Sequence, residues 1–507
     1  MTTPPDVPAL RSAIQLIQAQ AREQEERLAV ELAAVRPEHR QAARNLAHYL
    51  ALRQHDLRDL QGALAALGLS SLGRSERCVM ATLNAVDRAL ACLAGAGPDD
   101  RPRPPAPVDF DAADELLKQR ASALLGPPPA ARTARIMLTL PTAMGAGEIE
   151  ALLSEGAEVV RLNCAKGTVA DWGRTIEHVR VAARRRGRDC RILCDLAGPN
   201  PRTVSLGAEG EGDGAGEVIG RARVGDELCL WQCGAPLPKH PGLVVGCTMP
   251  EILGDLAPGD RVFYDDGKLS GVVREVTSDG ARIDIRMARK ERVKVRSGKG
   301  LNFPDSRLRV PSLTKKDLSD LAFVARYADM VGLSFVRNVE HVELLQRELA
   351  RLGASELGIV LKIETTQAFE SLPRLLLTAM QSPCVGIMVA RGDMAIELGF
   401  ERLAEAQEEV LWLGEAAYFP VIWATQVLEG LTKTGVPSRA EVTDAAMAGR
   451  AECVMLNQGD YQLEALRFLR NVLERMEQHQ QKKRSMLRLL RISRLTAPPT
   501  PADAPLG

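Results

Sequence analysis

Residues 358–364 read GIVLKIE and residues 386–393 read GIMVARGD. Each opens on glycine, runs through an almost unbroken apolar stretch and ends in charge. Runs this short and continuous fit strands buried on both faces, as in a parallel sheet. Working outward, the pattern recurs as RIMLTL (Arg135–Leu140), EVVRL (Glu158–Leu162), RILCD (Arg191–Asp195), DMVGLSF (Asp329–Phe335), PVIWAT (Pro420–Thr425) and ECVML (Glu452–Leu456). Helical stretches separate most of them. Eight such units predict an α/β fold, a closed (β/α)8 TIM-type barrel.

One gap breaks the rhythm. Residues 205–300, between the third and fourth runs, are Gly-rich and alternate apolar with polar residues, with DDG and SDG as turn signals. This predicts an inserted small all-β domain, a β-barrel placed as a lid over the catalytic face. Ahead of the barrel, Ala13–Val35 and His39–Arg53 carry helical spacing, and LGLSSLGRSERCVMATLNAV adds a Ser-led helix start. The expected division is a helical N-terminal extension (1–100), a Pro-rich linker and leading helix (101–130), barrel (131–204), lid (205–300), barrel (301–480), and a basic helix with a Pro-rich tail (481–507).

Composition narrows the function. The chain has 507 residues, with 65 basic and 65 acidic side chains. Zero formal net charge argues against a general nucleic-acid or membrane-surface role. The start lacks a signal-peptide pattern and no apolar run approaches a membrane span, so a cytoplasmic protein is expected. The 10 cysteines are scattered, several inside apolar runs, and read as reduced buried thiols. Cys229, Cys233, His240 and Cys247 make a poor zinc set, because no second tight pair follows the first.

Active-site residues of such barrels gather at the C-terminal ends of the strands. The polar residues ending these runs are Arg161 and Asn163, Asp195, Lys362 and Glu364, Arg391 and Asp393, and Thr425. Lys362 and Glu364 are two apart on a strand and point the same way. Glu364 and Asp393 can share one Mg2+, leaving its other positions to substrate and water. Arg161 and Arg202 can each grip phosphate oxygens. A lone Lys–Glu pair at a strand end is often a structural ion pair. The ordered set on successive strand ends points to phosphoryl transfer.

LKIE, GIMVARGDMAIELG, PVIWATQVLEG and VPSRAEVTDAAMAG, with VVRLNCAKG, CDLAGPNPRTV and GKGLNFPDS, resemble the successive motifs of the pyruvate kinase family over about Arg135–Ala465. The resemblance implies phosphoryl transfer from phosphoenolpyruvate to ADP. It implies Lys362 at the transferring phosphoryl group, with Arg161 on the same phosphate. Glu364 and Asp393 would hold Mg2+ or Mn2+. Ala390, Arg391, Gly392 and Asp393 would bind the substrate carboxylate through their backbone, with Thr425 at the methylene carbon. Arg202 and Asn163 would serve the nucleotide, and Asp266 of YDDGK resembles the lid aspartate. Partners are then phosphoenolpyruvate and ADP, without nucleic acid or membrane, and a homo-oligomer through the barrel is compatible with this.

The chain departs from the family pattern in places. Asn163 and Asp195 remain of its monovalent-cation site, but Ala165 and Leu196 replace two oxygen donors and Asn200 replaces a charged residue, which puts K+ activation in question. The family's MLSGETA reads MLNQGDY, near the nucleotide. The family's C-terminal effector domain has no counterpart here, so sugar-phosphate activation is not expected. Two other readings compete: a non-catalytic, ligand-sensing relative, and a Mg2+-dependent lyase acting on a 2-oxo acid.

Overall fold

A computed structural model describes residues 6–95, 103–142, 144–206, 216–232, 235–236, 242–477, 479–481 and 484–485. The eight apolar runs form eight parallel strands: β1 (Arg135–Thr139), β2 (Val159–Asn163), β3 (Arg191–Asp195), β4 (Met330–Leu333), β5 (Gly358–Ile363), β6 (Val385–Ala390), β7 (Val421–Ala424) and β8 (Cys453–Leu456). They pair in chain order, and β1 closes on β8 with Arg135 opposite Cys453. The α/β barrel read from the sequence is the fold of the chain.

Alternation across each strand sorts the side chains. Ile359, Leu361 and Ile363 of β5 pack into the main core, while Val360 joins Met137, Val159, Leu193, Met330 and Met388 in a separate apolar cluster. Leu124 and Leu125, the last turn of the helix Phe110–Leu125, belong to that second cluster. A Cβ on Gly358 or Gly386 would come within 2.7 or 2.5 Å of Leu124. The two glycines that open the deciding stretches therefore make room for this leucine. The result is a dry floor beneath the strand ends.

Between β3 and β4, strands from Thr203–Val204 to Leu301–Asn302 build a seven-stranded sheet, and Val218–Ala222 pairs antiparallel with Val293–Arg296 in a separate ribbon. This lid has its own core, including Leu230, Val245, Val273, Ile283 and Val295. It touches the barrel where Asn302 Nδ2 donates to Glu397 Oε1 at 3.2 Å.

The extension is helical: Val7–Arg27, Ala29–Ala34, Arg40–Leu52, Arg58–Ala66 and Val79–Leu93. The one helix expected over Ala13–Val35 is two, interrupted at Leu28, which leaves helical geometry at φ −97°, ψ 16°. The extension docks on the barrel's outer helices through buried polar contacts. Asn45 Nδ2 donates to the Ala416 carbonyl at 2.9 Å, and Arg77 Nε donates to Glu415 Oε1 at 2.7 Å. Arg53 stacks over Trp412 at 4.6 Å.

The helix expected from residue 481 does not begin there. Gln480–Gln481 instead pairs antiparallel with Arg484–Ser485. Lys482, Lys483 and the tail from residue 486 lie outside the described residues, as do Cys233 and His240. Among the described residues, no helix is long and apolar enough to cross a membrane.

His39 joins extension to barrel, its Nε2–H shared between the Ser382 and Pro383 carbonyls at 3.0 Å each. Burial, then the charge of Arg120, pushes its pKa down to about 4. A histidine held neutral in the fold stabilises it fully above its unfolded pKa near 6.5 and loses that contribution as pH falls from there toward 4. The loss amounts to about 3 kcal/mol at most. His39→Gln, which keeps a donor but cannot protonate, is expected to flatten the fall in unfolding temperature between pH 6.5 and 4. An unchanged slope would show that other groups govern it.

Candidate active site

The strand ends bring four charges into contact. Arg161 closes β2 and donates from Nε to Asp195 Oδ2 of β3 at 2.6 Å and from Nη1 to Thr139 Oγ1 at 3.1 Å. Lys362 of β5 lies 3.2 Å from the same Asp195 oxygen and 3.0 Å from Glu364 Oε1, and donates to Ser334 Oγ at 2.8 Å. Ser334 in turn donates to the Leu196 carbonyl at 2.7 Å. Lys362, Glu364 and Asp195 are 7, 3 and 1% exposed, so their charges act with little solvent screening.

These neighbours decide protonation. Burial opposes the Lys362 charge, but Asp195 and then Glu364 outweigh it and hold the ammonium above the usual lysine range. Burial likewise opposes the Asp195 charge, and Arg161 and Lys362 hold its carboxyl below the usual range. Lys362 therefore stays a cation and cannot serve as a base near neutral pH.

Asp393 is different. It lies in the first turn of the helix Arg391–Leu398, which begins where β6 ends. Burial first, and Glu364 second, push its carboxyl up to about 7, with Asp266 and Glu397 adding and Lys362 opposing. Two cations balance Asp195 and Glu364, and Asp393 is left over. A surplus, half-buried carboxylate beside Glu364, with oxygen donors only, suits a hard divalent cation. Among the described residues no group of three or more His, Cys, Asp or Glu could hold a metal. A cation on Glu364 and Asp393 would thus draw its other ligands from substrate and water.

The adjoining wall is built by β6 and β7. Gly392 N–H donates to Thr425 Oγ1 at 2.8 Å. Arg391 turns away, donating to the Ala424 and Thr425 carbonyls at 3.0 and 2.5 Å, pairing with Asp444 and stacking over Trp423. Its backbone alone can face a ligand. Phe335, Thr425, Gln426 and Leu428 all have positive φ, and so do Asp265 and Asp266 on the lid. Such strain in non-glycine residues persists only where the surroundings enforce it, and it clusters at ligand sites. Phe335 N–H, in that conformation, donates to Glu364 Oε2 at 2.6 Å.

The remaining sequence candidates sit further out. Asn163 Oδ1 accepts from Ala165 N–H at 3.0 Å and lines a cavity of about 410 Å³ with Arg161, Lys166, Lys433, Asn457 and Gln458. Asp195 stands opposite Asn163 in register, but its Oδ2 is turned to Arg161 and Lys362. Arg202, at the root of the lid, donates to the Gly298 carbonyl at 2.9 Å. Ser334, Thr139 and Asp444 were not among the sequence candidates. Ser334 follows β4 as a polar residue after an apolar run, and that signal was available.

The family described as "Pyruvate kinase, barrel domain" matches residues 131–466. The chain belongs to the pyruvate kinase family. It is 33% identical to the pyruvate kinase of Mycobacterium intracellulare over 350 residues, 68% of this chain and 70% of that protein. It is 30% identical to that of Mycobacterium tuberculosis over 356 residues, 69% and 71% of the two chains. The pyruvate kinase of Methylorubrum extorquens is 32% identical over 354 residues, 68% and 69%. The family match takes in every strand of the barrel and the lid between β3 and β4.

One position tests how the cluster is held. Gly332 of β4 stands opposite Asp195 in register, and a Cβ there would collide with Asp195 Oδ1. Gly332→Ala is expected to destabilise the fold by about 1–3 kcal/mol. Gly147→Ala, on a helix with nothing within 4 Å of the new methyl, is expected to be neutral or slightly stabilising. Thermal unfolding of the two variants checks the contrast, and equal effects would refute it.

Proposed function

We propose that this pyruvate kinase family member transfers the phosphoryl group of phosphoenolpyruvate to ADP, giving pyruvate and ATP. The observation that carries the reading is the Lys362 ammonium, buried and held charged by Asp195, Glu364 and Ser334 beside the surplus carboxylate of Asp393. Retaining such a cluster costs desolvation, and a purely structural barrel has no use for an unbalanced carboxylate.

In this reading Lys362 and Arg161 meet the oxygens of the phosphoryl group in transit. The bond from phosphorus to the enol oxygen breaks, a bond to the terminal ADP oxygen forms, and the released enolate takes a proton on its methylene carbon. Lys362 stays an ammonium throughout and acts by charge already in place. Thr425 Oγ1 accepts from Gly392 N–H, which leaves its own O–H to donate toward the methylene carbon. The backbone from Ala390, the N-cap, to Asp393 suits the substrate carboxylate, since a helix N-terminus favours an anion, with the Gly392 N–H shared with Thr425 Oγ1. A divalent cation on Glu364 and Asp393, Mg2+ or Mn2+, would supply positive charge against the oxygens where negative charge builds. Arg202 and Asn163 flank the place proposed for the nucleotide, together with the cavity bearing Lys166 and Lys433.

Dependence on K+ is proposed to be weak. Asp195, the carboxylate of the residual cation pair, is already neutralised by Arg161 and Lys362. Replacing K+ with tetramethylammonium at constant ionic strength should change the rate by no more than about twofold.

Pyruvate formation from phosphoenolpyruvate, ADP and Mg2+, coupled to lactate dehydrogenase, tests the reaction. Lys362→Met should lower kcat by about a thousandfold or more while leaving the protein folded. Phosphoenolpyruvate binding without turnover in the wild type would refute the reading and favour a ligand-sensing relative. Pyruvate release from an oxo or hydroxy acid without nucleotide would favour a lyase.

A further inference from the structure

We infer that the lid carries a second anion site, for a small molecule with two or more phosphate groups. The site is a cleft of about 520 Å³ on the ribbon formed by Val218–Ala222 and Val293–Arg296. That volume suits a small phosphorylated metabolite.

The ribbon's own pairing makes the case. Val293 and Val295 are 7% and 0% exposed and belong to the lid core, so Arg292, Lys294 and Arg296 lie on the other face. Lys294 stands directly opposite Arg221 on the partner strand. Like charges facing each other across a ribbon are destabilising. Lys268 and Arg289 line the same cleft, and its single acidic lining residue, Asp265, is taken by Lys268 at 2.6 Å and Lys299 at 3.4 Å. Among the described residues, Arg221, Arg292 and Lys294 have no acidic partner.

A chain of zero net charge has no general reason to gather this many cations in one concavity. An anion between Lys294 and Arg221 turns their repulsion into attraction. The guanidiniums can each grip a phosphate by two parallel hydrogen bonds. One phosphate would leave much of the charge unmet, and two or more match it. The cleft has the volume of one small molecule, which favours a metabolite over a nucleic acid. None of its lining residues belongs to the Lys362 cluster, so this inference stands apart from the proposed reaction.

Titration calorimetry of the full chain with inorganic tripolyphosphate, in EDTA to exclude divalent cations, tests it. A saturable, salt-sensitive site is expected that persists with saturating ADP, since tripolyphosphate also suits the nucleotide site proposed above. The Arg221→Gln/Lys294→Gln double variant should weaken it by at least about tenfold, whereas Arg161→Gln should leave it unchanged. Without anion, the double variant should unfold at the same or a higher temperature than the wild type, because it removes the like-charge pair. A lower unfolding temperature would remove that premise and overturn the inference. So would failure to saturate at millimolar tripolyphosphate, unchanged binding in the double variant, or binding lost in Arg161→Gln. Displacement of tripolyphosphate by a short oligonucleotide at much lower concentration would replace it with a nucleic-acid surface.

Discussion

The carboxylate of Asp195, shared by Arg161 and Lys362 at 2.6 and 3.2 Å, sets the terms for the rest of the barrel mouth. A buried ammonium is tolerable only if its charge is met on several sides. Lys362 is met by Asp195, Glu364 and the Ser334 hydroxyl, from β3, the end of β5 and the turn after β4. Gly332 must then lack a side chain, because Asp195 occupies that space. Phe335 must hold a left-handed backbone, because its amide faces Glu364. The apolar layer of Met137, Val159, Leu193 and Val360, sealed from below by Leu124, keeps water from screening the cluster from beneath.

This arrangement is stable but not neutral. Arg161 and Lys362 balance Asp195 and Glu364, and Asp393 remains with a carboxyl pushed up to about 7. The lid adds Asp266 to the same field, from a turn with positive φ at Asp265 and Asp266. The site is therefore short of positive charge, which is the ground for the divalent cation proposed there. The ribbon of the lid shows the reverse case: among the described residues, many cations share one carboxylate, Asp265.

The barrel was legible because its signal is local. Each strand buried on both faces needs a continuous apolar run, and eight such runs separated by helices leave few alternatives. Lys362, Glu364, Asp393 and Thr425 were legible because they end those runs, where such barrels keep their chemistry. Ser334 met the same criterion, but a serine after leucine carries no charge to mark it. Thr139 and Asp444 matter only through the arginines they hold, Arg161 and Arg391, and no spacing in the chain connects them. The break at Leu28 was hidden inside helical periodicity.

By itself the sequence determined the barrel, the inserted β domain, the helical extension and the charged strand ends, because periodicity, turn residues and motif order act over a few residues at a time. Tertiary structure alone decided that Asp195 serves two cations, that the Arg391 side chain is spent on the Ala424 and Thr425 carbonyls and Asp444, and that Asp393 is the unbalanced carboxylate. It also decided that Lys294 and Arg221, distant in the chain, stand face to face. Those outcomes depend on which strand ends become neighbours and how far burial strips their charges of water, and neither is written in the spacing of residues along the chain.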